Sequence, residues 1–366
     1  MHCDIINPYD KTPDMVKNYL KTLLLSAFAM MLPMVASADV EINETTFPDE
    51  SFRSWILRQS YGADGVLTDE EIAGVTKISL TSKKIYSLKG IEYFTELTFL
   101  LVELAQITEI DVSQLTKLTY LDCSLTQISK LDVSKNTSLT ELYCASNLLT
   151  SLDISNNSAL TTLSCSSNKL TSLNVTNNSA LEVLFCNDNQ LTELDVSKNT
   201  AIRRVWCSDN ELTKLEVLNL KNLESLKCSH NRLERIIVSD CPELWEIFCF
   251  NNRVKGEAMD ELIAGLPVIP EDWGHLCIVS TEDEQNVMTK SQVAAARAKG
   301  WRPRYKYGTF GEYGYPDYEG SDDPTGIVSP LGETEEGAIF DLQGRKLSVK
   351  PERGIYIEEG KKKVMK

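Results

Sequence analysis

The chain has 366 residues, 42% of them hydrophobic, with 37 Lys and Arg against 53 Asp and Glu for a formal net charge of -16. That apolar content is ample for a buried core and excludes a chain disordered throughout. A surface so acidic repels phosphate backbones instead of neutralising them, which sets nucleic acid aside as a partner.

Lys17 and Lys21 flank the start of an apolar stretch, Leu20 to Val35, which is followed by Ala36-Ser37-Ala38 and the acidic Asp39. The order of basic start, short apolar core and small-x-small site predicts a signal peptide over 1–38, cleaved after Ala38. Met15 is a candidate native start, with the residues before it not native. The run is too short for a permanent span of about 20 apolar residues, and no later segment is longer, so no transmembrane anchor is expected. The mature product should be secreted or held at the outer cell surface.

Residues 39–74 come next. Phe47 to Glu71, FPDESFRSWILRQSYGADGVLTDEE, reads as an amphipathic helix, a Gly-rich loop and the start of a second helix. Part of it echoes a calcium loop, since with Gly65 at the sharp turn Asp64 and Glu71 fall at ligand positions. Ser60 and Gly62, however, occupy places where that pattern wants carboxylates or Asn, so the expectation is a plain structural loop. No metal or cofactor is assigned to the chain.

Residues 75–254 carry an internal repeat. Cys123, Cys144, Cys165, Cys186, Cys207, Cys228 and Cys249 recur every 21 residues without a slip. Around each lies LxxLxCxxNxLxxLxV, as in Leu160, Leu163, Cys165, Asn168, Leu170, Leu173 and Val175. Weaker copies run upstream through Leu97, Leu100 and Val102, and before them Val75, Ile78 and Leu80. The pattern resembles the leucine-rich repeats of short, internalin-like bacterial surface proteins. Alternation puts Leu163 and Cys165 inward and Ser164 outward. A unit this small cannot bury its apolar side alone, so coils must stack, with their strands in one parallel sheet.

The resemblance implies an α/β leucine-rich repeat solenoid, a weakly curved horseshoe with a helical N-terminal cap over 39–74. Asn147, Asn168, Asn189, Asn210, Asn231 and Asn252 should tie down turn backbone where the chain leaves each strand. Thr126 and Ala105 replace Asn in the first coils, so that end should be less regular. The LDV segments, such as Leu152 with Ile154 and Leu194 with Val196, should run extended along the back.

Beyond the repeats, 255–319 alternates a helix at Met259 to Ala264, a strand around Leu276 to Val279, a helix from Ser291 to Lys299 and a strand from Trp301 to Tyr305. It reads as a βα cap that prolongs the sheet, covered by Trp273, Trp301 and the aromatic stretch to Tyr318. Residues 320–337, rich in Gly, Pro and acids, read as a linker. The final segment 338–366 is a small β tail whose LQGRKL and GIYI pieces resemble the C-terminal sorting tails of Bacteroidetes secreted proteins.

Cys and His are the side chains that could carry metal or nucleophilic chemistry. No CxxC or HxxxH spacing occurs, and thiols spaced by 21 residues form a row instead of a metal site. They are expected to be buried and reduced, and Cys241 falls in a second turn column with Asn136, Asn157, Asn178 and Asn199. His230 falls at an exposed strand end and His275 in the C-terminal cap, neither in a triad order, so an enzyme is not expected. The outward residues between inward Leu and Cys read Asp122, Tyr143, Ser164, Phe185, Trp206, Lys227 and Phe248. With Tyr120, Arg203, Arg204 and Trp245 they should gather rings and guanidinium groups across about five strands. Such residues dominate interfaces, so the reading is a binding protein for a protein or glycan on a host or bacterial surface. The alternative is an envelope spacer without a specific ligand.

Overall fold

A computed structural model describes residues 39–81, 84–280, 284–306 and 315–322, with the backbone of four short strands beyond residue 338. The chain divides into two units, Met1–Val40 and Glu41–Lys366. Residues 1–38, read as a signal peptide, and most of 320–337, read as a linker, lie outside the described residues.

The second unit is built on an eleven-stranded sheet. Its strands in chain order are Lys77–Ser79, Phe99–Leu101, Tyr120–Asp122, Glu141–Tyr143, Thr162–Ser164, Val183–Phe185, Arg204–Trp206, Ser225–Lys227, Glu246–Phe248, Gly274–Ser280 and Trp301–Lys306. Each pairs with the next in parallel, so Leu121 lies beside Leu142, and Leu142 beside Leu163. This is a parallel-sheet solenoid of leucine-rich coils, as the repeat implied.

Packing follows from the register. The inward Leu, Val or Ile at the centre of each repeat strand is fully buried, as is the Cys that follows it from Cys123 to Cys249. Cys144 N–H donates to Ser164 O at 2.8 Å and Cys165 N–H to Phe185 O at 2.8 Å, so each thiol-bearing residue also prolongs the ladder by one bond. The seven thiols are free, and burial pushes Cys165 and Cys207 up to about 12. Next to this row, Asn168 Nδ2 donates to Cys144 O, Cys165 O and Ser166 O while its Oδ1 accepts from Leu149 N–H. The amide thereby satisfies groups of two coils that have no sheet partner. In the first coils Thr126 Oγ1 donates to Cys123 O and Asn147 Oδ1 instead. The sheet keeps its register there, but the turn is less regular: Asn168 N–H donates to Asp188 O in the next coil, whereas Ala105 N–H turns back to Val102 O at 3.4 Å.

A second column is conformational. Leu104, Leu125, Ser146, Ser167, Asp188, Asp209, His230 and Asn251 all have φ between 52 and 64. The tight turn out of each strand needs a left-handed residue, and the chain fills it mostly without Gly or Asn.

The back of the coils departs from expectation. Among the described residues only Lys214–Leu218 and Arg235–Ser239 form a strand pair there, in parallel. In earlier coils a short side chain interrupts the extended run. Asp132 Oδ1 accepts Ser134 N–H at 2.9 Å, and Asp153 and Asp195 do the same to Ser155 and Ser197. Glu216 and Ile237 stand at the matching positions, and neither can close that turn. Cys241 does sit in the second turn column, donating to Val217 O at 3.5 Å where Asn199 Nδ2 donates to Val175 O at 2.9 Å.

At the N-terminal end lie helices Glu50–Ile56 and Asp69–Gly74. Asp49 caps the first through Phe52 N–H and holds the opening coil with its other oxygen, through Tyr86 N–H at 2.7 Å. Phe47 packs against Gly90, whose φ is 103 and where any Cβ would come within 2.2 Å of the Phe47 ring. Asp64 accepts Val66 N–H, and Glu71 is engaged in a capping box with Thr68. Both carboxylates of the suspected calcium loop therefore have local structural partners.

At the C-terminal end helices Glu257–Gly265 and Lys290–Arg297 alternate with the last two sheet strands. Trp301 is fully buried and Tyr318 nearly so, but Trp273 is 70% exposed and covers nothing. It sits in a tight turn, its N–H bonded to Pro270 O, which points the ring away from the core. His275, within the 255–319 segment, lies on the outward face of the sheet that this segment prolongs, beside Glu246. Ser321 and Asp322 are held by Thr289 and Lys290, so the first residues of the predicted linker belong to the fold. The strands Ile339–Phe340, Lys346–Leu347, Gly354–Glu358 and Lys361–Met365 make a separate four-stranded antiparallel sheet. No helix among the described residues is long and apolar enough to cross a membrane.

Candidate ligand-binding face

Within each three-residue strand the middle side chain is buried and the two flanking ones point outward, so the sheet carries two outward columns. Tyr120 and Arg204 belong to the first column, and Tyr143, Phe185, Trp206, Lys227 and Phe248 to the second. Arg203 and Trp245 precede their strands by one residue and stand at the entry edge.

These residues do not form one patch. Phe99 stacks on Tyr120 with ring centroids 4.3 Å apart, and Tyr120 lies 5.4 Å from Tyr143. Tyr143 OH donates to Glu141 Oε2 at 2.9 Å, and burial followed by that bond pushes its phenol up to about 12. Strand Thr162–Ser164 then interrupts the rings with two small polar side chains. The strands of Tyr143 and Phe185 are therefore two steps apart, about 10 Å at sheet spacing.

The second cluster is tighter. Phe185 stacks on Trp206 at 4.4 Å. Lys227 Nζ lies 4.2 Å from the Trp206 ring and 5.0 Å from the Phe248 ring, and 3.5 Å from Glu246 Oε2. Trp206 Nε1–H donates to Ser225 Oγ at 3.2 Å, and Ser225 in turn donates to Glu246 at 2.5 Å. Phe248 meets Tyr315 edge-on at 5.2 Å. One cation is thus clamped between two rings and a carboxylate, in a geometry set by parallel register alone. The rings stay half-buried, so their outer faces remain open to a partner.

The two arginines differ. Arg203 is occupied by Glu224 one coil on, through Nε at 3.0 Å and Nη2 at 2.6 Å, which explains its presence without a ligand. Arg204 is exposed and has no ion-pair partner among the described residues. Trp245, 42% exposed, meets His275 edge-on at 5.8 Å. Burial, then the nearby Arg304 charge, holds His275 below its ordinary value.

Sequence reasoning missed Phe99, Ser225, Glu246, His275 and Tyr315. Phe99 was findable, being one repeat before Tyr120, but its coil carries Val102 where later coils carry Cys. Tyr315 reaches the face from outside the repeats, and no period points to it. Among the described residues no group of three His, Cys, Asp or Glu side chains could hold a metal ion.

No family model matches the sequence, and no curated protein matches it. Among solved structures, the functional domain of InlJ from Listeria monocytogenes, described as including a cysteine ladder, aligns with TM-score 0.54 and 29% identity over 74% of this chain. This chain covers 61% of that one. A leucine-rich repeat protein of Leptospira interrogans aligns with TM-score 0.50 and 20% identity, over 65% of this chain and 62% of its own. The solenoid is therefore similar in fold to internalin-type leucine-rich repeat structures.

Proposed function

We propose that this chain is an exported binding protein that engages a protein ligand through the outward face of its sheet, centred on Phe185, Trp206, Lys227 and Phe248. The observation that carries the reading is Lys227 held over both Trp206 and Phe248. A cation and three rings already fixed in place lose little side-chain freedom on binding, and these are the residue types that supply most interface energy once desolvated. Arg204 adds an exposed charge, without an ion-pair partner among the described residues, on the same strand as Trp206. The order of basic, apolar and small residues over 1–38 supports export to the cell surface or beyond. The fold likeness to InlJ supports a role in recognition instead of catalysis.

The test is a binding screen of the mature chain against cell-surface proteins and glycans, run beside Trp206→Ala. A protein ligand held by the parent chain and weakened at least tenfold in the variant, about 1.4 kcal/mol, supports the reading. Ligands that are all glycans would change its class. Binding that is indifferent to Trp206 would remove the face from the account.

A further inference from the structure

The C-terminal end of the sheet face holds a cation that nothing in the fold accounts for. Arg304 stands in the second outward column, in register with Cys277, which is itself in register with Phe248. Trp301 and Pro303 are buried on the inner side of this last strand, so Arg302 and Arg304 lie on the outer one. Two other cations of this region are paired. Lys227 lies 3.5 Å from Glu246 Oε2, and Arg302 takes both oxygens of Asp317, at 2.6 and 3.0 Å.

The Arg304 guanidinium makes no hydrogen bond or ion pair among the described residues, and its Nε is sealed from solvent without an acceptor. Asp317 is bridged to Arg304 across the strand edge, yet its carboxylate is turned to Arg302. Glu246 is engaged by Ser225 Oγ at 2.5 Å as well as by Lys227. A guanidinium with its inner N–H desolvated and no counter-charge is costly to keep. That cost falls when an anion reaches the two terminal amino groups, which are not sealed in. The packing that closes over Nε also holds the fork in place, so little side-chain freedom is lost on binding.

Charge sets the class of anion. A carboxylate is planar, carries one charge and matches the paired amino groups of one guanidinium. A phosphorylated or sulfated chain would bring several charges to a single guanidinium flanked by Glu246 and Asp317, on a protein of net charge -16. We infer that the Arg304 guanidinium binds the carboxylate of an acidic side chain on the protein ligand, two strand steps from Phe248 on the same face. The inference rests on the sheet-face reading for the ligand and adds a demand on it, an Asp or Glu about 10 Å from the group that packs on Phe248.

His275 reports on this site. It lies in the first outward column between Glu246 and Arg302, and burial, then the Arg304 charge, holds it below its ordinary value, with Glu246 raising it and Arg302 lowering it. A carboxylate on Arg304 offsets that charge, so binding raises the pH at which His275 titrates.

The experiment uses the mature chain and the peptide acetyl-Tyr-Thr-Glu-Thr-amide, with its Glu-to-Gln counterpart. In an extended segment the Tyr and Glu side chains fall on one side about 7 Å apart, and the length of the Glu side chain spans the remainder. Affinity and the His275 titration are both read by NMR. The inference expects the Glu peptide to bind at least tenfold more tightly than the Gln peptide and to raise the His275 midpoint. It expects Arg304→Gln to bind both peptides alike, and Phe248→Ala to weaken both by the same factor. Equal binding of the two peptides to the parent chain, or an unchanged His275 midpoint at saturating Glu peptide, overturns the inference even if Arg304→Gln fails to fold. So does retained discrimination in Arg304→Gln, or binding of neither peptide. A preference for Glu that persists while Phe248→Ala weakens neither peptide supports the carboxylate site and removes the ring cluster from the binding surface.

Discussion

Raising the pH from about 7.5 to about 9.5 in the presence of a reductant should unfold this solenoid, or nearly so. Seven thiols, from Cys123 to Cys249 at 21-residue intervals, are fully buried. Burial raises all of them, Cys165 and Cys207 to about 12. In the unfolded chain each ionises near about 8.5. Because the folded value lies above the unfolded one, the stabilisation is complete below about 8.5 and is lost as pH rises toward the folded value. Over the stated interval each thiol then withdraws about 1.4 kcal/mol, and the row together about 10 kcal/mol. That is comparable to the whole stability of a typical domain, about 5–15 kcal/mol. The window ends below the ordinary tyrosine value of about 10, so phenols add little. Urea unfolding followed by circular dichroism at three pH values measures the slope. A triple variant, Cys144→Ala, Cys165→Ala and Cys186→Ala, should flatten it by about one third, because Cys241 and Cys277 are buried and raised as well. Equal midpoints at both pH values, or an unchanged slope in the triple variant, would refute this origin of the pH dependence.

Three further outcomes concern the scaffold. Cys165→Ser places a hydroxyl in the apolar row and should cost about 1–3 kcal/mol by thermal or urea unfolding, with native thiols inaccessible until denaturation. Asn168→Ala strands Cys144 O, Cys165 O and Leu149 N–H inside the turn, and should cost about 2–4 kcal/mol in the same assay. Leu125→Asn should instead raise the midpoint, by about 1 kcal/mol, since Leu125 is 46% exposed with φ 55, where Asn is far better tolerated; a lower midpoint would show that the side chain contributes packing.

The legible parts of this molecule are those that repeat. Seven cysteines in phase place the strands, the inward row and the two outward columns, because one register fixes every coil alike. Legibility fails where the period does. Cys277 follows Cys249 by 28 residues, yet Cys249 N–H donates to Cys277 O as Cys228 N–H does to Phe248 O, so Ile278 takes the ladder position and Cys277 the outward column. Residue type alone puts Trp273 in the core, and a local turn overrides that preference. The left-handed column is silent in the sequence because Leu104, Leu125 and Ser146 carry no sign of it. Arg203 looks free within its own coil, whereas its partner Glu224 stands one coil further on, where the period does place it. The back strand at Lys214–Leu218 depends on Glu216 replacing a turn-forming Asp, a change of one methylene group that hydrophobic patterning does not register.

Site-specific crosslinking addresses the binding face most directly, and it works on a ligand whose identity is still open. A photoreactive residue is placed at Ser164, between the two aromatic clusters, and in a second chain at exposed Lys130 on the back. Both chains are exposed to intact cells before irradiation. If the sheet face is the binding surface, Ser164 crosslinks a discrete protein, Trp206→Ala diminishes the product, and Lys130 gives none. A product from Lys130 alone, with Ser164 silent, would contradict it.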